Sequence, residues 1–213
     1  AKDYKRIGDQ DKGPNTGGMG AVSPVSFADE VFMEKVKQRI IEPTIHGLNA
    51  EGIDYRGFIF FGLINVKDEP FVIEYNARMG DPETQVVMSR LKSDFVELLI
   101  RTARGALNGL NAEFDTRAAV TISMVSDGYP GDYKKGFEIS GVTDQATGVF
   151  HAGTKINAGK LVTDGGRVIS ATGMGTTIEA ARRTAYAAAS SISWDGVYFR
   201  KDIGLDLIKS DKN

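Results

Sequence analysis

Phe32, Val36 and Ile40 recur every fourth residue, with Glu34, Lys35 and Lys37 set between them. This spacing predicts an amphipathic helix from Asp29 to about Gly47, which Pro43 should kink or interrupt. Gly57–Val66 is almost continuously apolar and predicts a strand covered on both faces. Lys67–Pro70 turns the chain into Phe71–Asn76, where Phe71, Ile73 and Tyr75 alternate with Val72, Glu74 and Asn76, the period of a half-buried strand. Thr84–Leu91 and Asp94–Arg104 read as helices, the second opened by the capping-box pair Asp94 and Glu97 and closed by Gly105. The polar stretch Gly105–Thr116 reads as a linker.

Beyond it the pattern shifts to short strands. Val120, Ile122 and Met124 alternate with Thr121 and Ser123, a turn follows at Asp127–Asp132, and further strands are predicted near Val149–Ile156 and Arg167–Ala171. One helix, Ile178–Ile192, is predicted with Thr176 and Glu179 as its capping box and Ile178, Ala181, Ala185, Ala188 and Ile192 as its buried stripe. The expected class is α+β: an α/β piece over 1–112, then a small β-rich domain over 113–213.

Composition narrows the function classes. The 213 residues carry a net charge of −2, 25% charged residues and no cysteine. Disulfides, thiolate metal sites and cysteine nucleophiles are thereby excluded. The basic excess of a nucleic-acid partner is missing. No apolar run reaches membrane-spanning length and no leader pattern opens the chain, which begins at Ala1. The expectation is a cytoplasmic protein with neither nucleic-acid nor membrane partner.

Candidate chemistry concentrates in two stretches. Glu74 and Asn76, two positions apart, fall on one strand face roughly 7 Å apart, and Arg78 joins them if the strand continues. A carboxylate and an amide oxygen suit a hard cation that completes its shell with phosphate and water, and an arginine suits the phosphate. Alone, E-x-N-x-R is better read as a solvated strand face; the turn Gly80-Asp81-Pro82-Glu83 directly after it tips the balance toward a site. The second stretch is Gly13–Gly20, G-P-N-T-G-G-M-G, whose glycines can bring backbone N–H groups close to an anion or can simply form a surface loop. It is no Walker loop. Gly173-Met174-Gly175 imitates half of a dinucleotide fingerprint but lacks the third glycine, and reads as a strand-to-helix turn with a cap.

Lys5–Ala21, Val72–Gln85, Gly128–Tyr133 (G-Y-P-G-D-Y), Phe150–Lys155 (F-H-A-G-T-K) and Arg200–Gly204 (R-K-D-I-G) together resemble the glycinamide ribonucleotide synthetases of the ATP-grasp superfamily. The resemblance runs from Lys5 to about Gly204. It implies the C-terminal part of an ATP-grasp domain, an antiparallel sheet with helices, followed by a small barrel- or sandwich-hybrid-like domain. The implied reaction joins glycine to 5-phosphoribosylamine in purine biosynthesis. The glycine carboxylate attacks the γ-phosphate of ATP, and the amine then displaces phosphate from glycyl phosphate.

Carried over residue by residue, the resemblance makes Glu74 and Asn76 ligands of Mg2+ or Mn2+ and Arg78 the arginine beside the phosphates. Asn15, Thr16, Gly17 and Gly18 match the catalytic loop. Lys5, Met19, Gly20, Asp81, Pro82 and Glu83 match substrate-binding positions, and His151 lies in the F-H-A-G-T motif without an assigned role. Tyr4 and Met79 depart from the family's usual His and Phe. Gly62 stands where other ATP-grasp enzymes carry a first metal-binding carboxylate. The family's N-terminal part, with its phosphate lysine and adenine hinge, has no counterpart in these residues, so the chain alone is expected to be inactive. The competing expectation is a non-catalytic Mg/nucleotide-binding or regulatory module derived from such an enzyme.

Overall fold

In the computed structural model, which describes residues 1–143 and 148–210, the chain is an α+β protein. Its elements in order are β1 (Lys2–Asp3), β2 (Arg6–Gly8), β3 (Lys12–Asn15), β4 (Gly20–Ser23), α1 (Glu30–Val36), a π-helical turn (Lys37–Ile41), α2 (Glu42–Ala50), β5 (Phe60–Val66), β6 (Glu69–Asn76), α3 (Glu83–Arg90), α4 (Phe95–Arg104), β7 (Ala118–Val125), β8 (Val149–His151), β9 (Thr154–Asn157), β10 (Lys160–Thr163), β11 (Arg167–Gly175), α5 (Ile178–Ser191) and α6 (Leu205–Ser210). Backbone contacts group them into two compact units that interleave along the chain: 1–24, 81–90 and 115–213 form one, and 25–80 and 91–114 the other.

The first unit is built on a five-stranded antiparallel sheet in the order β1-β4-β7-β11-β8. Among the described residues β1 and β8 are its edges. Alternation at Val120–Met124 predicts one wet face, yet all eight residues of β7 are buried. The reason is that helices cover both sides. On one face Ala21, Ala119 and the partly buried Met174 pack with Val86 of α3, and the buried Thr172 donates its hydroxyl proton to Thr121 at 2.7 Å, so that pair is satisfied from within, whereas the buried Ser123 hydroxyl has no side-chain or backbone partner.

On the other face α5 lies directly on β11. A Cβ on Gly173 would stand 2.6 Å from Ala181 O, and one on Gly175 the same distance from Ala180 C. The G-M-G sequence is therefore strand, not turn. Its glycines admit a helix whose buried stripe is Ala181, Ala185 and Ala189. The helix cap sits one residue later than expected, at Thr177, whose hydroxyl accepts from Ala180 N at 3.1 Å. The strands β1–β4 and β10 and the short α6 add to the expected elements.

In the second unit, Asp29 caps α1 by accepting from Phe32 N at 2.8 Å, and Phe32, Val36 and Ile40 are buried as predicted. Pro43 does not break the helix. Its missing N–H is accommodated by the π turn just before it, where Glu42 N reaches back to Lys37 O, and the helical run passes Gly47 to end at Ala50. α4 carries its expected N-cap, Asp94 accepting from Glu97 N at 2.9 Å, and a left-handed Gly105 at its end.

β5 and β6 form an antiparallel hairpin, but it is not covered on both faces: Ile64, Val66, Phe71, Ile73 and Tyr75 are all exposed. The alternation is also broken. Gly62 pairs with Glu74 and Leu63 with Val72, leaving Ile73 as an extra residue in β6. Consequently Val72 and Tyr75, three apart, line the same groove as Ile40, Pro43 and Thr44.

Candidate active site

The Gly-rich loop belongs to the first unit and is held from several sides. Thr16 donates both its N–H and its hydroxyl to Lys5 O, each at 2.8 Å, and its Oγ1 accepts from Gly18 N at 2.9 Å. Gly17 N donates to the Tyr129 hydroxyl at 2.9 Å. The amides that the sequence offers to an anion are thus already engaged at Gly17 and Gly18. Asn15, in β3, is exposed and pairs with Arg6.

Gly18 takes φ +116°, a value that favours glycine. It is buried, and a Cβ there would run into Pro82 and stand 2.8 Å from Asp3 Oδ1. Met19 is completely buried, and a Cβ on Gly20 would meet Thr121 O at 2.5 Å. Both side-chain positions therefore point into packed structure, which leaves their backbone groups for any contact with a substrate.

The Asp81-Pro82-Glu83 turn approaches the same loop. Arg167, the first residue of β11, donates to both Asp81 oxygens at 3.1 and 2.8 Å and to Gly17 O at 2.9 Å. Glu83 is buried at the start of α3. That helix is tied down at its other end by Arg90, which donates to Ser23 Oγ at 2.8 Å and to the carbonyls of Asp115 and Arg117. Beside the turn, burial pushes the Asp3 carboxyl up to about 6, partly opposed by Lys5, whose Nζ lies 2.7 Å away.

Beneath the β2–β3 hairpin that carries the loop lies Arg200, 1% exposed. It donates to both oxygens of Asp202 and to Asp11, all at 2.8 Å, and to Arg6 O at 3.0 Å. Burial works against the Asp202 carboxylate, but the paired hydrogen bonds from Arg200 outweigh it and hold the group down at about 2. Tyr4, where the resemblance expects His, donates to Asp206 at 2.6 Å and accepts from Gly204 N at 3.1 Å.

Glu74, Asn76 and Arg78 belong to the second unit. Glu74 is exposed and Asn76 half-buried at the end of β6; Arg78 lies past the strand, exposed, donating to Met79 O at 2.9 Å. Opposite Glu74 stands Gly62, where a Cβ would be 2.7 Å from Glu74 Cγ, so the small residue makes room for this carboxylate. Among the described residues no group of three or more histidine, aspartate or glutamate side chains could hold a metal. One carboxylate and one amide oxygen fit a divalent cation only if phosphate and water complete its shell.

His151 lies elsewhere, at the β8 end, with Nδ1 3.1 Å from Thr154 Oγ1. Sequence reasoning missed Arg167, Tyr129 and Asp3. The signals were an arginine opening an apolar strand after Gly165-Gly166 and a tyrosine inside a turn motif, neither of which announces a partner 112 or more residues away.

Residues 1–84 match the family Phosphoribosylglycinamide synthetase, ATP-grasp (A) domain, and residues 119–206 match Phosphoribosylglycinamide synthetase, C domain. The chain is 45% identical over 216 residues to the phosphoribosylamine–glycine ligase of Vibrio cholerae, covering all of this chain and 50% of that protein. It is 47% identical over 206 residues to that of Rhizobium meliloti, covering 96% and 49%. The crystal structure of the Thermotoga maritima phosphoribosylamine–glycine ligase superposes with a TM-score of 0.86 at 38% identity, covering 95% of this chain and 50% of that one. Kluyveromyces lactis urea carboxylase, at 16% identity and a TM-score of 0.61 over 91% of this chain, shares the fold alone. Among the described residues no helix is long and apolar enough to cross a membrane. The chain belongs to the phosphoribosylglycinamide synthetase family and spans about half the length of the curated relatives it matches.

Proposed function

We propose that these 213 residues form the C-terminal part of a phosphoribosylamine–glycine ligase, a cytoplasmic ATP-dependent carbon–nitrogen ligase of purine biosynthesis. The observation that carries the reading is the continuous match, at about 45% identity over the whole chain, to ligases of that name. In this reading 1–112 is the end of the ATP-grasp domain and 113–213 the small domain, a division supported by the two family matches at 1–84 and 119–206. The partners are ATP, glycine, 5-phosphoribosylamine and the N-terminal part of the same enzyme.

Glu74 and Asn76 would hold the divalent cation, Mg2+ or Mn2+, which when bound supplies charge neutralisation at the transferring phosphoryl. Arg78 has the chemistry to pair with phosphate oxygens. Asn15, Thr16, Gly17 and Gly18 form the loop at the reacting groups, with Lys5, Met19, Gly20, Asp81, Pro82 and Glu83 as the substrate-binding positions beside it. Glycine's carboxylate oxygen attacks the γ-phosphorus and ADP leaves; the amine of phosphoribosylamine then attacks the acyl carbon and phosphate leaves. Such transfers depend on positioning and fixed charge more than on covalent help.

The test is ADP formation by the full-length polypeptide carrying these residues. The reading predicts turnover only when glycine and phosphoribosylamine are both present. Nucleotide and metal binding without turnover would favour the non-catalytic module instead.

A further inference from the structure

The Gly17 backbone is gripped on both sides by residues from the C-terminal segment. Its N–H donates to the Tyr129 hydroxyl at 2.9 Å, and its carbonyl accepts from Arg167 Nη1 at 2.9 Å. The same guanidinium forks onto the Asp81 carboxylate at 3.1 and 2.8 Å. One planar group therefore ties the Gly-rich loop to the Asp81-Pro82-Glu83 turn, as only a multi-donor fork can. Glycine at 17 is part of the device, because a Cβ there would stand 2.9 Å from Arg167 Cζ. The anchors are themselves fixed: Tyr129 packs on Gly166, beside Arg167, and lies edge-on to Tyr133 with centroids 6.4 Å apart.

Stability alone gives little reason for this construction. Gly17 is exposed, Asp81 is 50% exposed at its side chain, and ion pairs in such settings contribute little. Fixing the two peptide planes that flank Gly17 and neutralising a carboxylate matter where an anionic phosphoryl group must be received in one orientation. We propose that Arg167 and Tyr129 are positioning residues of the ligase reaction, clamping the Gly17 backbone and the Asp81 turn into the arrangement that the reacting groups require. The proposal rests on the ligase reading for its chemistry and on the 213-residue chain for its geometry.

Amide hydrogen exchange at Gly17 and Gly18 in the 213-residue chain reads the clamp without any turnover. Arg167→Met and Tyr129→Phe should each speed that exchange by about tenfold or more while the melting temperature stays close to that of the parent. Unchanged exchange in both overturns the clamp. In the full-length enzyme the same substitutions should lower kcat by about tenfold or more at saturating ATP, with added guanidinium restoring part of the loss in Arg167→Ala. Wild-type kcat and KM for glycine in these variants overturn the positioning role even if exchange has changed. A parent enzyme without turnover would refute the ligase reading, and the exchange measurement would still decide the clamp. Should Arg167→Met fail to fold, Tyr129→Phe, which loses one hydroxyl, carries both readouts.

Discussion

Gly18 and Pro82 are packed so closely that a Cβ on the glycine would occupy the space of the proline ring. The contact joins the Gly-rich loop to the turn that opens α3, and it sets Gly18 apart from its neighbour Gly17. Gly18 is buried at φ +116°, whereas Gly17 is exposed and its Cβ direction points at a side chain. Gly18→Ala should therefore destabilise the 213-residue chain by about 1–3 kcal/mol in urea titration, from strain at positive φ plus the clash. Gly17→Ala should leave the midpoint nearly unchanged yet lower turnover of the full-length enzyme. Equal midpoints for both variants would contradict this division.

Asp3 gives a pH signature. Burial raises its carboxyl from 3.8 to about 6, so between those values the native state binds more protons than the unfolded chain. Stability from this group is fully present below about pH 4 and is lost as pH rises through 6, by about 3 kcal/mol if the unfolded value is ordinary. Asp3→Asn should remove that decline. Denaturation at a series of pH values from 4 to 7 checks it; parallel curves for parent and variant would count against the buried carboxyl.

Asp202 acts in the opposite sense. Held at about 2 by Arg200, it stabilises the fold above the ordinary carboxyl range, and that contribution disappears as pH falls toward 2. Asp202→Asn should flatten the acid limb of the stability curve between pH 4 and 2. It should also loosen the β2–β3 hairpin, whose Arg6 carbonyl is bonded to Arg200.

Much of this was legible in the chain. The helices α1, α4 and α5 follow from Phe32-Val36-Ile40 spacing, the Asp94 cap and the alanine stripe, because these are local signals. What the pattern misplaced depends on long-range packing. Alternation at Thr121 and Ser123 does not reveal that both are buried, because it carries no information on what packs against each face of β7. Gly173 and Gly175 read as a turn because a glycine that ends a strand and one that admits a helix look alike in sequence. The site was legible only in its continuous pieces: Gly17 and Asp81 stand in recognisable loops, but Arg167, which bridges them, is separated from them by 150 and 86 residues.

The metal assignment rests on Glu74. Its carboxylate is exposed at the end of β6 and faces the space left by Gly62, so Glu74→Gln should fold normally. In the full-length enzyme the substitution should reduce turnover by about a hundredfold or more, through lost charge neutralisation at the phosphoryl group. Unchanged kinetics at saturating magnesium would exclude Glu74 as a ligand.

The central claim is that glycine's carboxylate becomes the acceptor of the γ-phosphoryl group of ATP in an enzyme that contains these residues. Glycine labelled with 18O in its carboxylate tests it directly. The full-length polypeptide, given ATP, phosphoribosylamine and labelled glycine, should release phosphate carrying one 18O atom per amide formed, because the acyl carbon–oxygen bond is the one that breaks. The 213-residue chain alone should release none. Phosphate free of label during amide formation by the full-length enzyme would contradict the acyl-phosphate route.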